Sequence, residues 1–401
     1  MLTPPKILPQ RNRFCGVNAL ALPAPIMLKG DRNIMINDSM YPLRILFISR
    51  AFPPVIGGIE KQNAEIYNSL KHAADVTLVV NRHGKRFLPF FLPYALVYTL
   101  CRAQKYDVVL LGDGVLSVVA SAVRRIRHRP LVFCTLHGLD LTFPGVLYQK
   151  WWVRRFLPKV DILLPVSRQT AMEAVRRGLS ADRCRVIPNG VDPKRFSLKP
   201  DFGRLQQLLG RDIQGKLVLL SVGRLVQRKG VHWFIEKVLP RLPDDVVYVV
   251  AGDGPMRGRI EEAVVREDLG ARVCLLGRVS SEDLRALYAS ADIFIQPNIP
   301  VENDMEGFGL VVLEAGAAGL PVVASRLEGL ADAISDGDNG ELLPPGDADA
   351  YVTKIQELAR DAAARRDMGR HAQAYVRRHF PWEVIAERYL KVFQEYRRGA
   401  G

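Results

Sequence analysis

The residues best suited to chemistry lie between Glu306 and Ala315, a stretch that reads Glu-Gly-Phe-Gly-Leu-Val-Val-Leu-Glu-Ala. Gly307 and Gly309 permit a tight turn before an apolar run of helical length, so that backbone N–H groups can approach a ligand. The positive end of the following helix favours an anion such as a phosphate. Glu306 and Glu314 can accept hydrogen bonds from sugar or ribose hydroxyls. Taken alone, the two carboxylates fit equally well as surface charges at a helix start.

A second candidate is a cluster of cations between Gly223 and Gly230, directly after the apolar run 217–222. Arg224, Arg228 and Lys229 leave the end of a predicted strand just before a helix, a setting that suits a diphosphate. The spacing is not the G-x-x-x-x-G-K-[ST] of a phosphate-binding loop. A solvated basic loop is the alternative when this motif stands alone.

Further turns also follow predicted strands. Residues 251–255 look like a dinucleotide fingerprint, but the third glycine and the acidic residue that ends the next strand are missing, so a nicotinamide site is not predicted. Gly57 and Gly58 open a helix and permit close approach of a ligand, or form an ordinary turn. His137 follows the run 130–136 and can bond a substrate, although a structural histidine is the commoner case.

These motifs need a framework that brings strand ends together. Short apolar runs with helical segments between them predict parallel strands of doubly wound α/β sheets. In the first half the predicted strands are 44–49, 75–80, 107–112, 130–136, 161–166 and 185–187. In the second half they are 217–222, 246–251, 273–276, 293–296 and 321–324.

The runs divide the chain into two Rossmann-like domains, 41–195 and 205–380, joined by the turn-rich segment 188–193. Residues 1–40 contain several prolines and little periodicity, which predicts a poorly ordered extension, with Met40 as a plausible alternative start. An amphipathic helix begins at Trp382 and runs to the end. Two such sheets facing each other leave a cleft between their strand ends, where these folds bind ligands.

Composition indicates a globular protein. The 401 residues are 48% hydrophobic and 24% charged, and no segment has about 18 uninterrupted apolar residues, as a membrane span would. The five cysteines are scattered without C-x-x-C pairing, which favours a reducing compartment over disulfides or zinc. Residues 1–200 hold 30 Lys+Arg against 12 Asp+Glu, whereas residues 201–401 hold 26 against 30. This asymmetry suggests an anionic partner for the first half.

Taken together and in this order, the motifs resemble those of retaining nucleotide-sugar glycosyltransferases of family 4, also described as group 1. The resemblance covers about residues 43–396. Its most specific parts are Glu306 with Glu314 (the family's E-x7-E pattern), the stretch from Gly223 to Gly230, and the Gly57–Gly58 loop. It implies a GT-B fold, in which two Rossmann-like domains face a central cleft and the terminal helix, 382–398, crosses back to the first domain.

The resemblance also implies roles at the donor site. Arg224 and Lys229, after Gly223, would neutralise the diphosphate of the leaving nucleotide. Glu306 and His137 would contact the donor sugar, and Glu314 the ribose. The backbone of Phe308, Gly309 and Leu310 would hold a phosphate, and Gly57 and Gly58 would lie close to the donor phosphates.

The implied substrate is a nucleoside-diphosphate sugar, linked to GDP or UDP, and the implied reaction needs no metal because Arg and Lys replace a divalent cation. The sequence contains no clear D-x-D pair after a strand in the second half. The 224–230 stretch resembles that of mannosyltransferases using GDP-mannose, but it also occurs in enzymes using UDP sugars. Base and sugar therefore stay open, with a slight preference for mannose.

The acceptor would be a saccharide or a lipid-linked saccharide, bound by the first domain. Aromatic and basic residues alternate in 86–94 and around Trp151–Trp152, with further arginines in 124–129. Such groups fit peripheral contact with an anionic membrane, at the inner face of the cytoplasmic membrane in a cytoplasmic enzyme. A core helix with a solvated cationic face fits the same pattern.

Other classes of protein stay open at this point. The chain could be a GT-B enzyme that does not transfer the sugar, such as an epimerase. A phosphorylase of this shape is much longer. A basic nucleic-acid-binding protein is suggested by the charge of the first half, but no nucleic-acid motif is present and the cations form no single stripe. A non-catalytic sugar-binding subunit conflicts with the intact Arg224, Lys229, Glu306 and Glu314.

Overall fold

Both halves of the chain fold as parallel α/β sheets in the computed structural model, which describes residues 42–55 and 57–398. The extension predicted for residues 1–40 lies outside the described residues. The described residues form one compact unit. The α/β prediction with two doubly wound domains is thereby confirmed.

The N-terminal sheet has the strand order β2-β1-β3-β4-β5, with all neighbours parallel. Strands β1, β3, β4 and β5 are almost entirely apolar and bury both faces, as parallel strands covered by helices do, whereas the edge strand β2 is only partly buried. They are β1 (Arg44–Ser49), β2 (Asp75–Val80), β3 (Val108–Leu111), β4 (Leu131–Leu136) and β5 (Ile162–Pro165). The helices are α1 (Gly58–Leu70), α2 (Leu88–Arg102), α3 (Val118–Val123), α4 (Leu139–Thr142), α5 (Val146–Tyr148) and α6 (Arg168–Arg176), with a π-helix at Gln149–Phe156.

The C-terminal sheet has the order β11-β10-β9-β6-β7-β8, again fully parallel. Its strands are β6 (Leu217–Val222), β7 (Val246–Ala251), β8 (Val273–Gly277), β9 (Ile293–Gln296), β10 (Val322–Ser325) and β11 (Glu341–Leu343). Its helices are α7 (Pro193–Phe196), α8 (Phe202–Leu209), α9 (Val231–Lys237), α10 (Arg257–Arg266), α11 (Ser281–Ser290), α12 (Leu310–Ala318), α13 (Leu330–Ala333), α14 (Ala348–Arg360) and α15 (Ala362–His379).

The last helix, α16 (Trp382–Arg398), packs on the N-terminal sheet. Its apolar residues, including Tyr389 and Phe393, are buried against β1, β3 and β4, so the chain returns to the first domain. The chain passes between the domains twice, near Val191 and near Phe380. A hydrogen bond joins these two connecting segments, from the N–H of Val191 to the carbonyl of Phe380 at 2.8 Å. A side chain at Gly190 would collide with the Trp382 ring. These contacts hold the two connecting segments together.

Two strand predictions differ from the structure. The predicted strand 185–187 is not a strand: the N–H groups of Arg185 and Ile187 bond to carbonyls on β5, but the segment makes only an isolated bridge at Cys184. Strand β11 was not predicted, because it has only three residues and lacks an apolar run long enough to indicate a strand. Among the described residues, no helix has the length and apolar character needed to cross a membrane.

Candidate active site

The candidate donor site lies where the order of the C-terminal sheet reverses. Strand β6 has β7 on one side and β9 on the other, so the segments that follow β6 and β9 diverge and leave a crevice at the carboxyl edge. The Gly223–Gly230 segment follows β6, and the segment leading to Glu306 follows β9. Two motifs that are far apart in the sequence therefore meet at the place where open α/β sheets bind ligands.

At this crevice Glu306 and Lys229 form a buried ion pair. Lys229 Nζ lies 2.5 Å from Glu306 Oε2, and Asn298 Nδ2 donates to the same oxygen at 3.3 Å. Arg228 Nε lies 3.6 Å from it, while Arg228 Nη1 bonds Asp304 at 2.7 Å. Both members of the pair are less than a tenth exposed, which contradicts the interpretation of Glu306 as a surface charge.

The surroundings keep Glu306 ionised. Burial by itself raises the pKa of this carboxyl. The positive charges of Lys229 and Arg228 together outweigh burial, so the pKa of Glu306 lies below its ordinary value. The neighbouring Glu328 is affected in the opposite direction, because burial and the charge of Glu306 hold its pKa above the ordinary value. Glu328 accepts a hydrogen bond from the Glu306 backbone N–H at 2.5 Å and so fixes the start of the glycine turn.

The glycine turn packs tightly before helix α12. Gly309 has φ +84° and caps the helix, and a side chain there would collide with Leu330. A side chain at Gly307 would lie 2.5 Å from the carbonyl oxygen of His137 in the other domain. Leu310 begins the helix, and Phe308 is buried. The turn can therefore present backbone N–H groups at a helix N-terminus, as the phosphate prediction requires.

Glu314 is buried within α12, a helix otherwise made of apolar residues. Its Oε2 accepts a hydrogen bond from Tyr288 at 3.1 Å, and its Oε1 accepts one from Lys61 of the N-terminal domain at 2.8 Å. A buried carboxylate held in this way can still accept hydrogen bonds from hydroxyl groups, since each oxygen has two lone pairs.

Arg224 differs from its neighbours because it is exposed and makes no ion pair with another described residue. The backbone beneath it is fixed by glycines. Gly223 has φ +147°, and a side chain at Gly252 would lie 1.8 Å from the carbonyl oxygen of Gly223. The Gly252–Gly254 turn thus supports the cationic loop by close packing, which explains its fingerprint-like glycines without a nicotinamide.

On the N-terminal side, the sheet order reverses at β1, and Arg50 and Asp113 follow β1 and β3. Arg50 Nε donates to Asp113 Oδ1 at 2.9 Å, and the Asp113 side chain is fully buried. Burial raises the pKa of Asp113 although Arg50 lowers it, and the nearby Asp140 raises it further. This edge therefore carries two buried carboxylates beside one arginine.

His137 lies at the same edge, at the end of β4. Its Nε2 is 2.9 Å from the carbonyl oxygen of Gly112, and a carbonyl only accepts, so Nε2 carries the proton. Asp140 accepts a hydrogen bond from the His137 backbone N–H at 2.9 Å. This bond fixes the orientation of the ring, and the backbone of His137 faces Gly307 across the cleft.

The two edges meet directly. A side chain at Gly138 would contact Met305 and the backbone of Gly307, and Arg168 of α6 donates its backbone N–H to Asp332 of the C-terminal domain at 2.6 Å. Gly58, in contrast, faces open space among the described residues, since a side chain there would meet none of their atoms within 4 Å. At Gly57 a side chain would instead clash with the Glu60 carboxylate, and the role of this loop at the donor phosphates stays a prediction.

Comparison with known proteins agrees with the geometry. Residues 211–375 match the family of glycosyl transferases group 1, and residues 56–195 match Glycosyltransferase Family 4. The phosphatidyl-myo-inositol mannosyltransferase of Mycobacterium leprae is 31% identical over 302 residues, covering 72% of this chain and 73% of the relative. The chain belongs to the family 4 glycosyltransferases.

Further relatives support the same assignment. The amylovoran biosynthesis glycosyltransferase AmsK of Erwinia amylovora is 29% identical over 293 residues, covering 71% of this glycosyltransferase and 69% of the relative. Among solved structures, Anabaena HepE in complex with UDP has a TM-score of 0.70 at 22% identity, covering 88% of this chain and all of that one. The fold is GT-B, and the protein is an enzyme of the glycosyltransferase class.

Several residues of the site were not singled out from the sequence. Lys61, Asn298 and Tyr288 contact the two predicted glutamates, and Arg50 pairs with Asp113. Their types are ordinary for helices and strand ends, so only their neighbours in space reveal them. In the part of the chain that the structure describes, no group of three or more His, Cys, Asp or Glu side chains forms a metal site.

Proposed function

We propose that this glycosyltransferase moves a hexose from a nucleoside-diphosphate sugar, with retention at the anomeric carbon, to a saccharide or lipid-linked acceptor in cell-envelope or exopolysaccharide synthesis. The observation that carries the proposal is the meeting of Lys229, Arg228 and Glu306 with the N-terminus of α12 at the switch point of the donor sheet. Relatives named for amylovoran and for phosphatidyl-myo-inositol mannose transfer support the polymer and lipid classes of acceptor.

In this proposal Arg224 and Lys229 stabilise the β-phosphate as the sugar departs. Departure of a nucleoside diphosphate concentrates negative charge on that phosphate, so preorganised cations stabilise the transition state more than the ground state. The backbone N–H groups of Phe308–Leu310 add donors to the same phosphate. These groups supply the charge that a divalent cation would otherwise provide, and we propose that the reaction is metal-independent.

The remaining roles concern the sugar and the nucleoside. Glu306, ionised and fixed by Lys229, accepts hydrogen bonds from hydroxyls of the donor sugar, and His137 approaches the sugar from the other domain. Glu314 accepts hydrogen bonds from the ribose. The donor nucleotide is GDP or UDP. GDP-mannose is favoured by relatives such as a Mycolicibacterium smegmatis mannosyltransferase named as GDP-mannose-dependent, and UDP by HepE, solved with UDP.

Nucleotide binding tests the donor site. We expect the wild-type protein to gain thermal stability with UDP or GDP and to gain little with ADP, and to hydrolyse the matching nucleotide sugar slowly without an acceptor. The melting temperature is measured with each nucleotide at the same concentration, and hydrolysis by release of the nucleoside diphosphate. If no nucleoside diphosphate stabilises the protein, the donor site is wrongly placed.

We also propose that the N-terminal domain contacts an anionic membrane at the cytoplasmic face through one helical layer. Helix α2 buries Phe91 and Ala95 but exposes Phe90 (72%), Tyr94 (57%) and Val97 (59%) at helical spacing on its other side. The α2 helix and the π-helix both pack on α3, so they belong to one layer, which we call the α2–π-helix surface. The segment next to the π-helix exposes Val146 by 79%.

The charge of this surface complements an anionic bilayer. Residues 82–106, 114–139 and 143–160 contain thirteen Lys and Arg and no Asp or Glu. Arg155 lies over the Trp151 ring at 4.8 Å. Aromatic groups at the interface with cations beside them are the pattern of proteins that lie on anionic membranes, and the attraction weakens as salt screens it.

Vesicle flotation tests the membrane contact. We expect binding to vesicles of phosphatidylcholine with phosphatidylglycerol, weaker binding at 1 M salt, and loss of binding in Phe90→Glu/Tyr94→Glu. Phe202→Glu is the matched control, because Phe202 is 63% exposed but lies on α8 of the other domain. Equal binding to pure phosphatidylcholine, or an equal loss in Phe202→Glu, contradicts the proposed surface.

A further inference from the structure

One residue of the N-terminal domain reaches into the part of the donor site assigned to the nucleoside. Lys61 Nζ donates to Glu314 Oε1 at 2.8 Å, joining residues 253 positions apart across the cleft. The Lys61 side chain is 42% exposed, whereas that of Glu314 is 9% exposed. The pair thus connects a solvent-accessible cation on α1 to a buried carboxylate on α12.

The position of Lys61 is fixed by its helix. It lies in the first turn of α1, where its backbone N–H donates to the carbonyl of Gly57 at 3.1 Å. Two residues later, the buried Asn63 donates from Nδ2 to Ser49 Oγ at 2.9 Å and to the carbonyl of Ala51 at 3.2 Å. These bonds attach the start of α1 to the end of β1, so Lys61 is presented to the cleft by a rigid support.

Glu314 depends on this cation. Its second oxygen accepts a hydrogen bond from Tyr288, whose pKa burial and the charge of Glu314 raise far above its ordinary value, so the phenol stays a donor. Within residues 42–55 and 57–398, Lys61 is the one cationic side chain paired with Glu314. Without it, a buried carboxylate on an apolar helix would have no compensating charge, which is costly.

We propose that Lys61 is a positioning residue for the nucleoside, supplied to the donor site by the opposite domain. It holds Glu314 Oε1 in place for the ribose hydroxyls, and it makes this part of the site complete only when the two domains face each other as they do here. The inference rests on the proposed function, because it requires a nucleotide at the donor site.

The inference predicts a selective effect. In the proposed function the cations and helix N-terminus that bind pyrophosphate, namely Arg224, Lys229 and the start of α12, lie in the C-terminal domain, and pyrophosphate has no ribose. Lys61→Met should therefore weaken binding of a nucleoside diphosphate by about tenfold, since a charge-assisted contact is lost at the ribose carboxylate, and leave pyrophosphate binding unchanged. A general loss of structure or of positive charge would weaken both ligands.

Calorimetric titration with pyrophosphate and with UDP or GDP, whichever stabilises the wild type more, measures this selectivity. Lys71→Met is the matched control, since Lys71 follows the same helix but bonds Asn68 and not Glu314. Lys61→Arg should retain most of the affinity, because arginine also donates to a carboxylate. These two variants separate the contact from any effect of the substitution on folding.

A double-mutant cycle decides whether Lys61 acts through Glu314. In the Glu314→Gln background, Lys61→Met should have no further effect on nucleotide affinity. Additive losses, unchanged affinity in Lys61→Met, tighter binding, or an equal loss for pyrophosphate would each overturn the role of Lys61. A wild-type protein that binds no nucleoside diphosphate overturns the proposed function, and the role of Lys61 with it.

Discussion

The charged groups at the two sheet edges that face the cleft do not follow the net charge of the halves of the chain that supply them. The first half is strongly basic, yet its edge buries Asp113 and Asp140 beside Arg50. The second half has more acidic than basic residues, yet its edge places Arg228 and Lys229 beside Glu306, with the exposed Arg224 on the same loop.

This difference shows that the charge of a domain and the charge of its site are set separately. Cations on the donor edge suit a departing diphosphate, and carboxylates on the opposite edge suit a sugar that becomes positively charged as its bond breaks. The first half also has exposed cations outside this edge, among them Lys150, Arg154 and Arg155 of the π-helix.

The largest effects on turnover are expected for two cations at the edge of the C-terminal sheet, the buried Lys229 and the exposed Arg224. Lys229→Ala should lower turnover by about 1000-fold and Arg224→Ala by about 100-fold, because each removes stabilisation of the leaving phosphate. Lys229→Ala should also lower the free energy of unfolding by about 3 kcal/mol, since Glu306 loses its buried partner. Arg224 is exposed, so Arg224→Ala should leave stability unchanged.

Nucleotide-sugar turnover and thermal unfolding, measured on the same preparations, check this pair of variants. Lys237→Ala is the control, since Lys237 is exposed at the end of α9 in the same domain. If Arg224→Ala retains full turnover, the exposed arginine does not contact the phosphate.

A second comparison concerns Gly230, at the end of the cationic loop after β6, and Gly58, in the Gly57–Gly58 loop of the N-terminal domain. Gly230 has φ +65°, and a side chain there would lie 1.8 Å from the carbonyl oxygen of Pro297, so Gly230→Ala should cost about 2 kcal/mol or more. Gly58→Ala meets open space and should keep its stability while weakening donor binding, if the loop approaches the donor phosphates. Chemical unfolding and nucleotide titration distinguish the two. Unchanged donor binding in Gly58→Ala would remove this loop from the site.

The smallest effects are expected from pH, through the two buried carboxyls. The pKa of folded Glu306 lies below its ordinary value of 4.5, so the stability it contributes is present above that value and is lost as the pH falls. The pKa of folded Asp113 lies above its ordinary 3.8, so its contribution is complete below that value and is lost as the pH rises through the raised pKa.

Unfolding of the wild type, Glu306→Gln and Asp113→Asn between pH 4 and pH 8 checks both signs. As the pH falls, the wild type should lose its advantage over Glu306→Gln and gain relative to Asp113→Asn. Parallel curves for all three proteins would mean that neither carboxyl changes its pKa on folding.

Much of the fold was predictable because buried parallel strands appear in the sequence as apolar runs. The strands 44–49, 75–80, 217–222 and 246–251 have the predicted bounds. The segment 185–187 was wrongly predicted as a strand, because a pattern of only three residues is the same in a strand and in an extended connection. Strand β11 was missed because its three residues are too few to form a recognisable pattern. The Glu306–Glu314 and Gly223–Gly230 motifs were visible because glycine turns and cations follow strand ends in a fixed order.

The sequence by itself determined the two α/β domains, the family and the side chains available at each strand end, because these depend on local pattern. Only the tertiary structure decided which of those side chains meet. Lys229 pairs with Glu306 because strands β6 and β9 are neighbours in one sheet, and Lys61 pairs with Glu314 because the two domains pack together, over separations of 77 and 253 residues. No local pattern encodes such contacts, since they depend on the order of strands in the sheet and on how the domains pack.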